Sequence, residues 1–286
     1  MNSQATSAIS SSSARPERVD APRKPAWRRL GKMLVHTPGV LPVLTFVIIL
    51  MVWEAATVLL AIPSYVLPSP SRISGGFEAV TTERWFQHIR ATLWVALKGY
   101  VISILVALPL AVALTRSEIV SKALYPILVV IQSTPVVAIA PIIIVVLGSG
   151  DAPRVLITFL IAFFPLVVST ATGLLATPRE LIELSQSLRA PVWREITQIR
   201  LPFAVPYIFA ALKISITLAV IGAVVAEFVA AERGLGFFIQ FSTSMFRLPE
   251  AWAGLCILVV MSLTLFQSVS LVQRLVFPWS LPKKPT

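Results

Sequence analysis

The sequence predicts an all-α membrane protein of six transmembrane helices, and three observations carry that prediction. The chain of 286 residues is 56% hydrophobic and only 13% charged, where an ordinary soluble domain carries roughly 25% charged residues. Its mean hydropathy is +0.84. A soluble fold of this size could not hide so much apolar surface, whereas a bilayer is itself the solvent for outward apolar faces. The apolar residues also fall into six runs, each near or above the roughly 20 residues that cross a bilayer.

Residues 1–37 are rich in Ser, Ala, Pro and Arg without helical or strand periodicity, which predicts a disordered cytoplasmic tail. A cleaved signal peptide is not expected, because the first apolar run starts only near residue 40 and is too long for a signal core. The spans are placed at 41–61, 91–114, 121–147, 155–175, 205–230 and 251–275, within a membrane domain of 38–278 followed by a short cytoplasmic tail, 279–286. The third run is the longest and holds Pro126, Pro135 and Pro141. Proline inside a span kinks the helix and frees carbonyls that neighbours or a water-filled cavity must satisfy.

The net charge of +11 does not signal nucleic acid, since no basic patch is interleaved with stacking aromatics. Seven cations lie in the tail (Arg15, Arg18, Arg23, Lys24, Arg28, Arg29 and Lys32), and most others lie in short loops. With the N-terminus inside, sixteen Lys and Arg fall on the cytoplasmic side, Lys283 and Lys284 among them, and six outside. That bias orients both termini to the cytoplasm and the segments 62–90 and 231–250 outward. Six spans form a thin bundle around any pore, which predicts a dimer. The single Cys256 excludes an intrachain disulfide and, inside an apolar run, reads as a buried, inert thiol. His36 and His88 are far apart with no ligating neighbours, so no metal site is expected.

The most informative stretch is 177–202, between the fourth and fifth spans. Thr177-Pro178-Arg179-Glu180 has the form of a capping box with Pro at the first helical position, so a short helix is expected to start at Pro178. Leu181, Ile182, Leu184 and Leu188 are its apolar positions; Pro191 breaks it; Val192, Trp193, Ile196 and Ile199 make a second stripe. Two short amphipathic helices need a surface to bury against: a partner protein, the bundle's own ends, or the membrane interface.

This stretch resembles the cytoplasmic coupling loop of binding-protein-dependent ABC importer permeases. That family carries Glu-Ala-Ala, three residues, Gly, nine residues, then Ile-x-Leu-Pro. Glu183, Ile199, Leu201 and Pro202 match, while Leu184, Ser185 and Arg189 replace the two alanines and the glycine. Leu67-Pro68-Ser69-Pro70, the run Ser133 to Pro141, Phe163-Phe164-Pro165, the run Ala219 to Phe228 and Gly234-Leu235-Gly236 resemble, in the same order, the nitrate, sulfonate, taurine and pyrimidine-precursor subfamily.

The resemblance implies a type I importer (MetI-like) permease fold in the bacterial plasma (inner) membrane. It implies cytoplasmic ATP-binding subunits, a second permease copy or paralogue, an extracytoplasmic solute-binding protein and surrounding lipid as partners. It further implies ATP on the ATPase partner and no cofactor on this chain. No G-x-x-x-x-G-K-[ST] segment occurs here, in keeping with that division of labour. Glu180, Glu183, Leu184, Leu188, Arg189, Trp193, Ile199, Leu201 and Pro202 are then the expected ATPase-coupling residues. Glycine at the Arg189 position would supply a positive φ without steric cost. Arginine there either forces a different turn or continues the first helix into Ala190; it either adds a salt bridge to the ATPase or marks a loop that docks less well.

Within the spans, Gln132, Ser133 and Thr134 precede the Pro135 kink and are candidates for a translocation path, against plain interhelical hydrogen bonding. Glu227 is a further candidate, against simply reaching the outer interface. Glu54, Lys98 and Lys213 read as a helix-pairing acid and two snorkelling lysines. Ala219, Gly222, Ala223, Ala226 and Ala230 form a small-residue stripe that serves either a dimer interface or packing within one subunit. A self-contained channel or secondary transporter is the rival reading. An enzyme has no support in H-E-x-x-H or G-x-S-x-G motifs.

Overall fold

A computed structural model describes residues 40–281. The readings that fall on the N-terminal tail, its seven cations and His36, and on Lys283 and Lys284, lie outside the described residues. The chain divides into two compact units between Val52 and Trp53. The first contributes helical residues 40–52, the opening of α1 (Val40–Leu59), in which the Thr45 hydroxyl donates to the Leu41 carbonyl at 2.9 Å.

The second unit holds the end of α1 and then α2 (Pro70–Glu78), α3 (Thr82–Arg116), α4 (Glu118–Ser133), α5 (Val136–Leu147) and α6 (Asp151–Leu175). There follow α7 (Arg179–Ser187), α8 (Val192–Ala230), α9 (Leu235–Ser244) and α10 (Leu248–Val276). The helix ends follow from local chemistry. Ser69 accepts from the Arg72 N–H with Pro70 at the first turn of α2, and Ser117 accepts from the Val120 N–H to start α4; both arrangements satisfy donors that have no partner inside the helix. The segments expected as outer loops, 62–90 and 231–250, are therefore partly helical, containing α2, the first turns of α3, and α9.

The core is built by α3, α6 and α8. All three meet at Thr158, where a Cβ added to Gly99 of α3 or Gly222 of α8 would collide with α6. Ala219, Gly222, Ala223 and Ala226 are buried in this contact, so the small-residue stripe is packing within one subunit. The Ser103 hydroxyl bridges the Gly99 and Phe159 carbonyls at 2.8 and 3.2 Å, the kind of interhelical bond that a membrane interior favours.

Packing order fixes the path of the chain. Gly99 meets Thr158, and Leu108 and Val112 pack with Leu174, so α3 and α6 run in the same direction. The chain between them must return across the bundle. α4 packs its Leu124 and Leu128 beside Leu114 and Phe163, and α5 packs Ala140 beside Ile157 and Ala226. Together they make the crossing, but with a bend of 95°. The kink expected in the third span is a full elbow, broken where Pro135 cannot donate to the helix ladder. Among the described residues five helices are long and apolar enough to span alone, and the α4–α5 pair, taken as one bent crossing, makes a sixth. We call the end bearing α7 the loop end and the opposite one, bearing α2 and α9, the far end.

Candidate functional site

The segment 177–202 folds as a helix, a turn and a second helix entry, with differences from expectation. Thr177 is buried and turns its hydroxyl back to the Leu174 carbonyl at 3.1 Å, so it does not cap. Pro178 is the extended residue before the helix, which begins at Arg179. At the other end, Arg189 takes φ +50°. Its N–H donates to the Gln186 carbonyl at 2.9 Å, and the Ala190 N–H donates to the Ser185 carbonyl at 3.0 Å. This pair of bonds is the Schellman motif that ordinarily ends on glycine. Arg189 thus neither changes the turn nor prolongs the helix: it adopts the glycine conformation.

The two stripes separate. Ser185, at a position where the motif carries alanine, is buried, whereas Glu180, Glu183, Leu184, Leu188, Arg189 and Trp193 are exposed. Leu188 is 73% and Trp193 60% exposed. Ile199 and Pro202 are half-buried and Leu201 sits at the edge of exposure. The bundle's own end therefore does not cover Leu184, Leu188, Val192 and Trp193, which removes one of the three surfaces open to them.

A residue that the sequence reading passed over holds the loop in place. Glu195 is buried at 4% exposure; its Oε1 accepts from Arg200 Nε at 2.8 Å and lies 4.0 Å from Arg116 at the end of α3. Glu195 and Arg200 are the two ends of a π-helical turn, Glu195–Arg200, near the start of α8. Such turns insert one extra residue and recur at functional sites. The signal available was the Glu195/Arg200 spacing of five, a separation at which side chains face one another only if the helix widens.

The intramembrane candidates do not converge on one site. The Ser133 and Thr134 hydroxyls donate back to the Val129 and Val130 carbonyls at 2.8 and 2.9 Å, satisfying the backbone at the elbow, and Gln132 is exposed. Glu227 does not reach an interface: it is 1% exposed, and its Oε2 accepts from Thr92 at 3.0 Å and from the Gly236 N–H at 2.7 Å. Lys98 lies 3.5 Å from Asp151 and over the Trp94 ring at 4.5 Å. Lys213 donates to Gln273 of α10 at 2.7 Å rather than snorkelling. Glu54 accepts from the Ser71 hydroxyl and N–H at 2.7 and 2.9 Å, tying the end of α1 to α2. Cys256, expected to be buried, is exposed on α10. Among the described residues no cluster of three or more His, Cys, Asp or Glu could hold a metal.

Long apolar helices and a broken crossing define a polytopic membrane protein. Residues 99–280 match the profile of the binding-protein-dependent transport system inner membrane component family, and the chain belongs to that family. It is a permease subunit of an ABC importer rather than an enzyme. It is 35% identical to the riboflavin transport system permease protein RibX of Chloroflexus aurantiacus, over 84% of this chain and 89% of that one. It is 32% identical to the formylaminopyrimidine transport permease protein ThiX of Halalkalibacterium halodurans, over 83% and 95%. The taurine transport system permease protein TauC of Escherichia coli shares 26% identity over 82% and 88%. The fold is that of a chain in the inward-facing MetNI methionine ABC transporter, with TM-score 0.58 and 21% identity over 65% of this chain and 93% of that chain.

Proposed function

We propose that this permease subunit passes a small heterocyclic solute of the pyrimidine-precursor or riboflavin kind, delivered by an extracytoplasmic binding protein. Its loop end is driven by a separate cytoplasmic ATPase that binds and hydrolyses ATP. The solute class rests on the two relatives above 30% identity named here, both of which are named for heterocycles; the taurine permease stands lower. The observation that carries the drive is the uncovered apolar surface of Leu184, Leu188, Val192 and Trp193, flanked by Glu180, Glu183 and Arg189. A large exposed apolar patch with a charged rim is the form of a protein-docking surface. The Lys and Arg excess at the loop end supports a cytoplasmic location for it and for both termini. A second permease, identical or paralogous, completes the pathway, with Gln132, Ser133 and Thr134 at the elbow of each copy as its polar lining.

Two measurements test this. Glu183→Arg and Leu184→Asp are expected to lose co-purification of the ATPase subunit by about tenfold or more, as interface anchors do on truncation or charge reversal; unchanged co-purification and unchanged uptake would sink the docking role. Titrating the extracytoplasmic binding protein with riboflavin, formylaminopyrimidine, taurine and nitrate is expected to show saturable binding of a heterocycle. Binding of taurine or nitrate alone would overturn the solute class and leave the docking surface intact.

A further inference from the structure

At the far end, α9 begins on Gly234, which has no side chain with which to cap the helix. The leading N–H groups of a helix have no partner inside it. Side chains from two other helices take them here. The Gly234 N–H donates to His88 Nδ1 at 3.1 Å, the Leu235 N–H to the Thr92 hydroxyl at 2.8 Å, and the Gly236 N–H to Glu227 Oε2 at 2.7 Å. The Thr92 hydroxyl donates in turn to the same Glu227 oxygen at 3.0 Å. Thr92 and Leu235 are fully buried.

The seat is shaped for bare backbone. A Cβ on Gly234 or on Gly236 would run into the Glu227 side chain, and Gly234 has φ +129°, so the two glycines and the carboxyl act as one fitted unit. His88 and Thr92 are one turn apart on α3, on a single face; Glu227 lies in the last turn of α8. Three helices are thereby joined at one point. The exit of α9 is held as well: the Arg247 N–H donates to the Ser242 carbonyl at 2.8 Å, and Phe246 takes φ +59°. One side of α9 packs on the bundle through Phe238, whose ring lies 4.8 Å from that of Trp85. Its other side, with Gln240, Phe241 and Thr243, is exposed at the far end.

We propose that Glu227, Thr92 and His88 form a clamp that makes α9 move as one body with α3 and α8, and that transport requires this rigid link. Glu227 and Thr92 are positioning residues in this role and touch no solute. The proposal rests on the transport role of the chain and is independent of which solute it carries. A net free charge is not what the clamp uses. It uses acceptors placed on buried N–H groups, which lose most when left unpaired.

The test uses the full importer, permease with its ATPase subunits and binding protein, in lipid nanodiscs. Thr92→Val keeps the side-chain shape and removes the oxygen. It is expected to raise hydrogen exchange of the amides at 234–237 about tenfold or more, as for a buried donor left without its acceptor. Exchange in α6 should be unchanged, and stimulation of ATP hydrolysis by the binding protein should be lost. Thr92→Ser restores the hydroxyl and is expected to restore both; Glu227→Gln keeps an acceptor and is expected to resemble the parent, whereas Glu227→Leu resembles Thr92→Val. Unchanged exchange in Thr92→Val would overturn the clamp. So would raised exchange with full stimulation, exchange raised throughout the chain, or failure of Thr92→Ser to restore either readout. Exchange is read without solute and stimulation is scored only where the parent importer shows it, so an error in the solute class does not mimic failure of the clamp.

Discussion

Arg189 holds a left-handed backbone conformation that an L-residue with a Cβ reaches at a cost of roughly 1–2 kcal/mol. Among the described residues it shares this with two others: Ala61, φ +47°, ends α1, and Phe246, φ +59°, ends α9. All three make the same two bonds. The Ala61 N–H donates to Val58 and the Ile62 N–H to Thr57, at 3.2 and 3.0 Å, and the Phe246 N–H donates to Thr243 at 3.0 Å beneath the Arg247 bond. Replacing Arg189 by glycine is therefore expected to stabilise the end of α7, by about 1 kcal/mol once the extra freedom of the unfolded chain is deducted. Slower hydrogen exchange at the Ala190 amide would register it; faster exchange would mean that the guanidinium itself holds the turn. Gly234→Ala should do the reverse. Its Cβ meets Glu227 at a positive φ, and overpacking of this kind costs about 1–3 kcal/mol before backbone strain is added, read as a lower thermal inactivation temperature in detergent. The sequence made the glycine frame of the loop legible, because the motif spacing survives around Arg189. It did not reveal that arginine would accept the glycine geometry, since that outcome depends on the bonds at Ser185 and Gln186 and on no property of arginine.

Among the elements, the entry to α8 shows what periodicity misses. A period of 3.6 predicts which side chains share a face, but the π turn at Glu195–Arg200 shifts that register by about one residue. Glu195 is thereby turned inward to Arg200 and Arg116, while Trp193 remains outside. Removing one member of a buried ion pair leaves the other uncompensated and costs about 3–5 kcal/mol. Glu195→Ala is accordingly expected to loosen the loop from α3, measured as protease cleavage within 179–200 at enzyme concentrations that spare the parent. Glu195→Gln, which keeps one acceptor, should lie between. The core was legible only in part. The small residues of α8 mark a face for close approach, but they suit a second subunit as well as a neighbouring helix, and it is Thr158 of α6, between Gly99 of α3 and Gly222 of α8, that places the contact within one chain. Glu227 was legible as an intramembrane acid but not as a cap, because its partners Thr92 and Gly236 lie 135 and 9 residues away in the chain.

At the scale of the molecule, composition and the spacing of the apolar runs made a polytopic membrane protein legible, since a chain this apolar has one solvent in which to fold. What composition did not yield was the path of the third crossing. Its prolines announce a kink, yet the angle depends on α4 lying against Leu114 and Phe163 and α5 against Ile157 and Ala226. The elbow has a bearing on the lipid around it. α4 has 16 residues and α5 has 12, about 24 and 18 Å of helix, and neither alone reaches through the roughly 30 Å hydrocarbon layer. A bent crossing reaches less far than its summed length, and Gln132 lies within it beside exposed Val130 and Ile131. A bilayer meeting this surface directly must thin until headgroups or water approach the amide. A solitary copy is therefore expected to prefer short-chain lipid, with its thermal inactivation temperature falling as acyl length grows. On the proposed pairing of two permeases at the elbow, the assembled importer is expected to be nearly indifferent to bilayer thickness.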